Sequence, residues 1–599
     1  MAEKLVRIGC AAGYWGDSAQ GAVQLVREGN VDYLVFDYLA EVTMSILAQA
    51  RKTSDDLGYA TDFVTDILQP LIREIADKRI RIIANAGGVN LRACERAIRQ
   101  VAEAAGVKLK IGIVEGDNLH EREGEFRAAG IHEMFTGAAF PAKTASINAY
   151  LGAFPIAAAL DGGADIVVTG RVVDSAVTLG ALIHEFGWRA DDFDRLAAGT
   201  LAGHLIECGC QATGGNFTDW ELVCDDWDRM GYPIVECRAD GGFVLTKPEG
   251  SGGLVSVHTV GEQLLYEIGD PQAYIVPDVV CDFARVALEQ EGPQRVRVSG
   301  AHGYPPTATY KVCATHADGY RAVYTQTITG FAAETKARKM GEAILARCAR
   351  LFAEQGWPAP RQTHIDLLGA NALWNPRHIS RAPANELVLK LSLYHDRREA
   401  VALFTKEAMG SALSTTTGRC AAGAPGRPKV SPVVRLYSFL LPKARVPVSV
   451  AVEGISVAFS PPEIDLAWNS SMKVALHPVA AIDPPEDDAI AVPLIELALA
   501  RSGDKGDDAN IGVIARRPEY LPYLRAALTA ERVADWFSHV MPGQQAMRYD
   551  LPGLLAMNFV LKNALGDGGV ASLNADVQGK TYAQQLLAMP VSIPAHLPR

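Results

Sequence analysis

The chain has 599 residues, 49% hydrophobic and 21% charged, which is enough apolar side chain for several domain cores and too much for a disordered protein. Its 57 Lys and Arg against 69 Asp and Glu leave a net charge of -12 with no basic run to neutralise a row of phosphates, so nucleic acid is excluded as the main partner. No window reaches the ~18 uninterrupted apolar residues of a membrane span, and the first residues lack a signal-peptide core. Ten scattered cysteines without a CxxC pair form neither a disulfide framework nor a zinc knuckle, and a cytoplasmic protein with reduced thiols is expected.

The first ~190 residues alternate short β-branched apolar runs with longer amphipathic stretches, the pattern of βα units around a mainly parallel sheet. Strands are expected at Val6–Gly9, Tyr33–Asp37, Arg81–Ala84, Lys110–Val114 and Asp165–Thr169. Each runs into a polar or glycine-rich turn, beginning respectively at Ala12, Asp37, Asn85, Glu115 and Thr169. In open α/β sheets and barrels, ligands bind beyond the carboxyl ends of the strands. Gly13, Trp15, Asp17, Gly87, Gly88, Asn118, Arg171 and Asp174 are therefore candidate substrate contacts.

From about 200 to 260 the chain is polar and glycine-rich, too polar for core and too aperiodic for a helix. Gly214 and Gly215 offer backbone amides to a phosphate or carboxylate, and Lys247 offers the countercharge. The spacing of a P-loop is absent. Further on, Arg295–Ser299 and Tyr310–Ala314 alternate as strands, Ala332–Gln355 reads as a long amphipathic helix, and His364–Leu368 and Leu387–Leu393 return to strand patterns. Gly, Pro and Thr break Thr415–Pro432, and a second break falls at Pro484 and Pro485.

The last segment opens with a strand at Val492–Ala500 and a charged loop containing Asp504, Lys505, Asp507 and Asn510. A helix at Pro522–Met541, with Trp536 and Phe537 set to face a partner subunit, and strands at Gly553–Val560 and Ser572–Asp576 complete a ferredoxin-like α+β pattern. The division is an α/β core at 1–290, an α+β extension at 291–430, a connecting β-rich segment at 431–490 and a ferredoxin-like domain at 491–599.

The runs DYLVFDYLAEVTM from Asp32, NAGGVN from Asn85, GADIVVTGRVVDSA from Gly163, AAGTLAGHLIECGCQATGGN from Ala197 and TKPEGSGGLVSVHTVGEQLLYE from Thr246 resemble the acyclic terpene utilisation family, AtuA. ARSGDKGDDANIGV, YDLPGLLAMNFVL and LGDGGVASLNADVQGK resemble the ferredoxin-fold domain fused to that core in many members. The resemblance implies a place in the breakdown of branched acyclic terpenes or related acids, whose intermediates travel as coenzyme A thioesters. Cys10-Ala11-Ala12 and Cys210 depart from the family's usual glycine and alanine, which admits a shifted substrate.

On a branched acyl-CoA, the expected reactions are hydration, dehydration or carbon–carbon cleavage, each needing a base near neutrality and donors facing the thioester oxygen. Asp37, Glu41 and Asp117 are the candidate acid/base groups, with Glu207 in reserve; helix capping competes for Asp37 and Asp117. Asn85 with the Gly87 and Gly88 amides is a candidate oxyanion hole, and Arg171 is a candidate oxyanion fork unless Asp174 pairs with it structurally. Asp504, Lys505 and Asn510 are candidate contacts from the last domain.

Two further readings stand beside this one. The chain is alternatively a noncatalytic acyl-CoA-binding scaffold, or a thioester or amide hydrolase using Cys208 with His204 one helical turn before it. No metal-ligand spacing is present, although Mg²⁺ held by Asp17, Asp37 and Asp117 would leave no motif. Coenzyme A is expected as part of the substrate, and a homo-oligomer is expected.

Overall fold

A computed structural model describes every residue except 1–3, 379–381, 421–425, 464–465, 478, 484–487, 570 and 599. Its first βα units place six strands, β1 (Leu5–Ala12), β2 (Tyr33–Phe36), β3 (Arg81–Ala84), β4 (Ile111–Glu115), β5 (Ser146–Ala149) and β6 (Ile166–Thr169). β1, β2, β3, β6 and β4 lie side by side in that order, all parallel. They are buried on both faces, as expected of near-continuous Val, Ile and Ala runs covered by helices.

The sheet as a whole is mixed rather than mainly parallel. Beyond β1 come β7 (Ile234–Arg238) and β8 (Phe243–Thr246), then Arg295–Ser299 and Ala287–Gly292, each antiparallel to its neighbour. Beyond β4 come Ser449–Val452 and Ile455–Val457, also antiparallel. Hairpins supply these edges because a tight turn returns the chain antiparallel, whereas a parallel neighbour needs a crossover.

β5 leaves this sheet for another. It pairs with the first half of a 21-residue strand, Thr309–Thr329, whose other edge carries Ser431–Pro442. The second half of the long strand pairs with Glu386–His395, followed by Gln362–Leu368, and the helices Ala333–Glu354 and Arg398–Gly410 cover that end. The two sheets thus meet at β5, in the middle of the polar turns. Part of the Thr415–Pro432 break is ordered: Arg419 and Cys420 pair with Ile328 and Thr327, while 421–425 and Pro484 and Pro485 lie outside the described residues.

The 200–260 region is more buried than its polarity suggests. Phe193–Ile206 is a helix with ten buried residues, and Val257–Leu265 is a second helix capped by Ser256. Thr213 is fully buried because its hydroxyl donates to the Cys210 and Gly231 carbonyls at 3.0 and 2.6 Å.

The last segment forms a four-stranded antiparallel sheet in the order Ala498–Lys505, Asp508–Ala515, Ala556–Leu561, Ala546–Leu551. Five expectations change here. Val492–Ala500 is two strands, since a turn at Leu494–Glu496 separates Ala489–Pro493 from Ala498–Lys505. The charged loop is a hairpin turning at Gly506 and Asp507, with Gly506 at φ 70°. Pro522–Met541 is broken into Leu521–Ala527 and Ala530–Trp536, because Thr529 caps the second helix through the Arg532 amide at 3.2 Å. Ser572–Asp576 is a turn, in which the Asp576 carboxylate accepts from the Lys580 and Thr581 amides at 3.1 and 2.8 Å. Trp536 and Phe537 are buried in this domain's own core.

This sheet packs tightly on the segment following Val257–Leu265. A side chain at Gly512 would put its Cβ 2.3 Å from that of Leu265, so only glycine allows the approach. Asn510 and Asn558, both fully buried, bond each other at 2.9 Å and reach the backbone of Leu265, Glu267, Ile268 and Gly269.

Candidate functional site

The carboxyl ends of β1, β2, β3, β4 and β6 bring Asp37, Asn85, Asp117 and Arg171 to one side of the sheet, each on the first residues past its strand. Asn85 orients Asp37: its amide donates to Asp37 Oδ1, and its own oxygen accepts from the Tyr38 amide at 2.6 Å. The Asp37 amide donates to Ala12 O at 3.0 Å, so the turn after β1 holds its backbone while Asn85 holds its carboxyl. Burial holds this carboxyl well above the ordinary range. Asp174 and Glu207 add to the effect, against Arg171 and the Asn85 bond.

Glu41 opens the helix Glu41–Arg51 and takes the Tyr150 hydroxyl on Oε1, with Lys311 Nζ at 3.8 Å. Burial opposes its ionisation. Lys311, Arg171 and the tyrosine hydroxyl outweigh that and bring its pKa down to about 2, so Glu41 is a fixed anion rather than a proton carrier. Asp117 is fully buried, and its Oδ2 accepts from Asn148 Nδ2 and the Arg171 amide, both at 2.9 Å. Burial, partly offset by those bonds, raises it to about 6. The carbonyl oxygen of Gly170 takes the Thr169 hydroxyl, and Gly170 must stay glycine, since a Cβ there would lie 2.3 Å from Asp117 Oδ1.

A small cleft opens among Glu41, Met44, Ser146, Asn148, Tyr150, Arg171, Cys313 and Thr315, with enclosed room on the order of a single water molecule.

Beside it lies a second acid–base pair. His204, on the inner face of Phe193–Ile206, has Nε2 at 3.1 Å from Leu264 O and Nδ1 at 3.1 Å from Glu207 Oε1. Leu264 O only accepts, so Nε2 carries a proton and the proton between Nδ1 and Glu207 is shared by the pair. Burial lifts Glu207 to about 7, His204 pulling against it and Asp174 and Glu267 adding to it. Glu207 Oε2 is buried without a partner among the described residues. The turn after β1 touches this pair, because a Cβ on Gly13 would meet Glu207 O at 2.8 Å.

The Cys208 reading loses its base. Both ring nitrogens of His204 are engaged, and burial together with Glu207 and Glu267 keeps the Cys208 thiol well above its ordinary pKa.

Several candidates have structural work instead. The Gly87 amide donates to Thr169 O at 3.0 Å and Asn85 donates to Asp37, so two of the three groups of the expected oxyanion hole are engaged elsewhere; Gly88 has φ 53° and packs against Leu47. Asp17 accepts from the Gly13 and Ser18 amides at 3.0 and 2.7 Å, and Trp15 donates to Asp62 at 2.6 Å. Those bonds commit Asp17 to its loop, and no cluster of three His, Cys, Asp or Glu able to hold a metal occurs among the described residues, so the set Asp17, Asp37 and Asp117 does not fit Mg²⁺. Asn118 caps the turn at His120 at 3.1 Å. The Gly214 and Gly215 amides bond Gln211 O and Cys210 O at 3.3 and 2.7 Å, and Lys247 donates to Ser251 O at 2.5 Å, so no anion cradle is left there. Asn510 serves the domain contact.

Asp504 and Lys505 sit at the tip of the hairpin that approaches the site. Lys580 joins Asp504 to Glu267 at 2.9 and 2.7 Å, and Lys505 Nζ lies 5.8 Å from the ring of Tyr274, which packs against His204. Tyr150, Asn148, Lys311, Glu267 and Lys580 were not legible as site residues. Tyr150 and Asn148 lie on or beside β5, Glu267 follows the helix Val257–Leu265, and Lys311 and Lys580 are brought in by the second sheet and the last domain.

Two family models match. The model described as acyclic terpene utilisation family protein AtuA covers residues 6–452, and the AtuA ferredoxin-like domain covers 492–592. The fold and the turn cluster thus define an α/β protein with an appended ferredoxin-like domain. The chain belongs to the AtuA family, which places it in acyclic terpene utilisation. No curated protein and no solved structure matches it significantly.

Proposed function

We propose that the chain is a lyase that adds water to, or eliminates it from, a branched acyl-CoA thioester, with carbon–carbon cleavage of a 3-hydroxyacyl thioester as the closely related outcome. One observation carries this reading: buried carboxyl groups at and beside the converging strand ends have raised proton affinities, Asp117 at about 6 and Glu207 at about 7, with Asp37 raised as well. Such groups exchange protons at physiological pH, which a binding scaffold does not require. Family membership supports the pathway.

In the eliminating direction, Glu207, poised by His204, takes the proton from C2. Asp37, its proton affinity raised by burial and its carboxyl aimed by Asn85, gives its proton to the departing C3 hydroxyl. The C2–H and C3–O bonds break, the C2=C3 double bond forms, and water leaves. Hydration is the reverse. Asp174 lies within electrostatic reach of both carboxyls and keeps their proton affinities high.

The test is mass spectrometry of branched enoyl-, 3-hydroxyacyl- and 3-hydroxyglutaryl-CoA thioesters incubated with the purified protein and with Asp37→Asn. Gain or loss of water, or loss of an acetyl-bearing fragment, is expected with the natural chain and absent with the variant. No conversion of any thioester, with or without Mg²⁺, overturns the proposal in favour of a scaffold.

A further inference from the structure

The cleft has no cation to spare, because Arg171 donates to Asp174 Oδ1 at 2.7 Å and Lys311 stands 3.8 Å from Glu41. Uncommitted charge lies instead on the surface, between Thr218 and Met230. There the chain makes two short helical turns, Trp220–Leu222 and Cys224–Arg229, with Val223 between them as the buried anchor. Trp220, Leu222 and Trp227 face solvent, 49%, 67% and 57% exposed, and the two indole rings lie 6.0 Å apart. Exposed apolar groups clustered in this way mark contact surfaces, and tryptophan is the side chain that contributes most when such a surface is covered.

Both ends of this platform are pinned. The Thr218 hydroxyl donates to Ala500 O and accepts from the Ala500 amide, at 3.0 and 3.2 Å, and Asp219 takes two bonds from Arg516 at 2.6 and 2.5 Å, so the last domain holds the first end. Met230 O accepts from Gln24 at 3.3 Å, and the Gly252 amide donates to Arg229 O at 2.9 Å, so the core holds the second. The tryptophans are therefore displayed by a fixed scaffold, which lowers the ordering cost of covering them.

The charge around them specifies the partner. Asp219–Arg229 carries five carboxylates against one guanidinium. Arg516 neutralises Asp219, and Arg229 neutralises Asp226 at 2.7 Å. Glu221, Asp225 and Asp228 are left without an ion pair within 4 Å among the described residues. Indole faces bordered by carboxylates attract arginine, whose planar cation stacks on the ring while its N–H fork meets a carboxylate. The same carboxylates repel the phosphates of coenzyme A, of nucleic acid and of anionic lipid. A second copy is a poor match, since the chain as a whole carries a net charge of -12.

We propose that this platform docks a basic segment of another protein, one that lays arginine side chains on Trp220 and Trp227, pairs them with Glu221, Asp225 and Asp228, and sets an aliphatic side chain against Leu222.

Calorimetry on the full chain tests this with three blocked peptides of equal length, one alternating leucine and arginine, one leucine and glutamate, and one serine and arginine. The leucine–arginine peptide is expected to bind at least tenfold more tightly than either of the others. Trp220→Ala with Trp227→Ala should erase that preference, and Asp225→Asn with Asp228→Asn should weaken the binding at least fivefold. These side chains are exposed, so both variants should fold, with circular dichroism as the check. Equal binding of the three peptides by the natural chain, or an undiminished preference in the folded tryptophan variant, overturns the proposal. Stronger binding to phosphatidylcholine vesicles than to the peptide replaces it with a membrane contact. Self-association in sedimentation that the tryptophan variant abolishes replaces it with a second copy. Thioester conversion by that variant should match the natural chain, because none of these residues lines the cleft; its loss would assign the platform to the reaction instead of to a partner.

Discussion

Replacing Asp117 by Asn probes the cost of the site most directly. Asn retains one oxygen to accept from Asn148 and the Arg171 amide, and it removes the titrating proton. Asp117 rises from 3.8 to about 6 on folding, so the native state binds a proton more tightly than the unfolded chain between those values. Stability is therefore greatest below the lower value and falls as pH rises through the upper one, by about 3 kcal/mol in all at ~1.4 kcal/mol per unit. About half of that loss falls between pH 5 and pH 8. Asp117→Asn escapes it. Urea unfolding followed by tryptophan fluorescence, on both proteins across that range, should show the variant gaining about 1.4 kcal/mol on the natural chain from pH 5 to pH 8. Comparing the same two proteins at several pH values cancels any fixed cost of the substitution. A difference that stays flat to within ~0.5 kcal/mol would show that Asp117 is ionised at no penalty, and would remove it from the group of carboxyls held near neutrality.

Two other perturbations separate architecture from chemistry. Asn558→Leu strands the Ile268 and Gly269 carbonyls, now bound at 2.9 and 2.6 Å, and at ~1–3 kcal/mol for each buried orphan should weaken docking of the last domain by about 2–6 kcal/mol. Limited proteolysis should then release the ferredoxin-like domain, and an unchanged digestion pattern would refute the role of the Asn510–Asn558 pair. Iodoacetamide should leave Cys208 unmodified at pH 7 and Cys208→Ala should leave turnover unchanged, as judged by peptide mass spectrometry and the thioester assay; modification that parallels loss of activity would restore the hydrolase reading.

Much of the parallel core was legible because its physics is local. Each of Tyr33–Phe36, Arg81–Ala84 and Ile166–Thr169 is a short apolar run ended by a turn residue, and burial on both faces demands nothing more of the sequence. The antiparallel margins were less visible, since β7 and β8 carry Glu236 and Cys237 among ordinary apolar residues and their place depends on pairing with β1. Ser146–Ala149 left no trace at all. Four residues cannot display a period, and what makes them a strand is a partner more than 160 residues away in the chain, as the pairing of Ser146 with Thr315 shows.

The same distinction governs the site. Asp37, Asn85, Asp117 and Arg171 stand directly after strands, where position alone makes a polar residue conspicuous. Which bonds and charges each of them meets depends on neighbours that the sequence does not place beside them. Asn85 looked like an oxyanion donor until its amide was found on Asp37, and Glu41 looked like a base until Lys311, from the second sheet, made it a permanent anion. Glu207 stayed in reserve because nothing in its own segment announces that His204, with its far nitrogen committed to Leu264 O, turns the pair into a proton store. A carboxylate's role is fixed by which charges surround it, and two of the surrounding groups here, Lys311 and Lys580, arrive from the extension and the last domain, while Glu267 follows the helix Val257–Leu265. Severing those segments should therefore change the titration of the site before it disturbs the parallel strands that carry it.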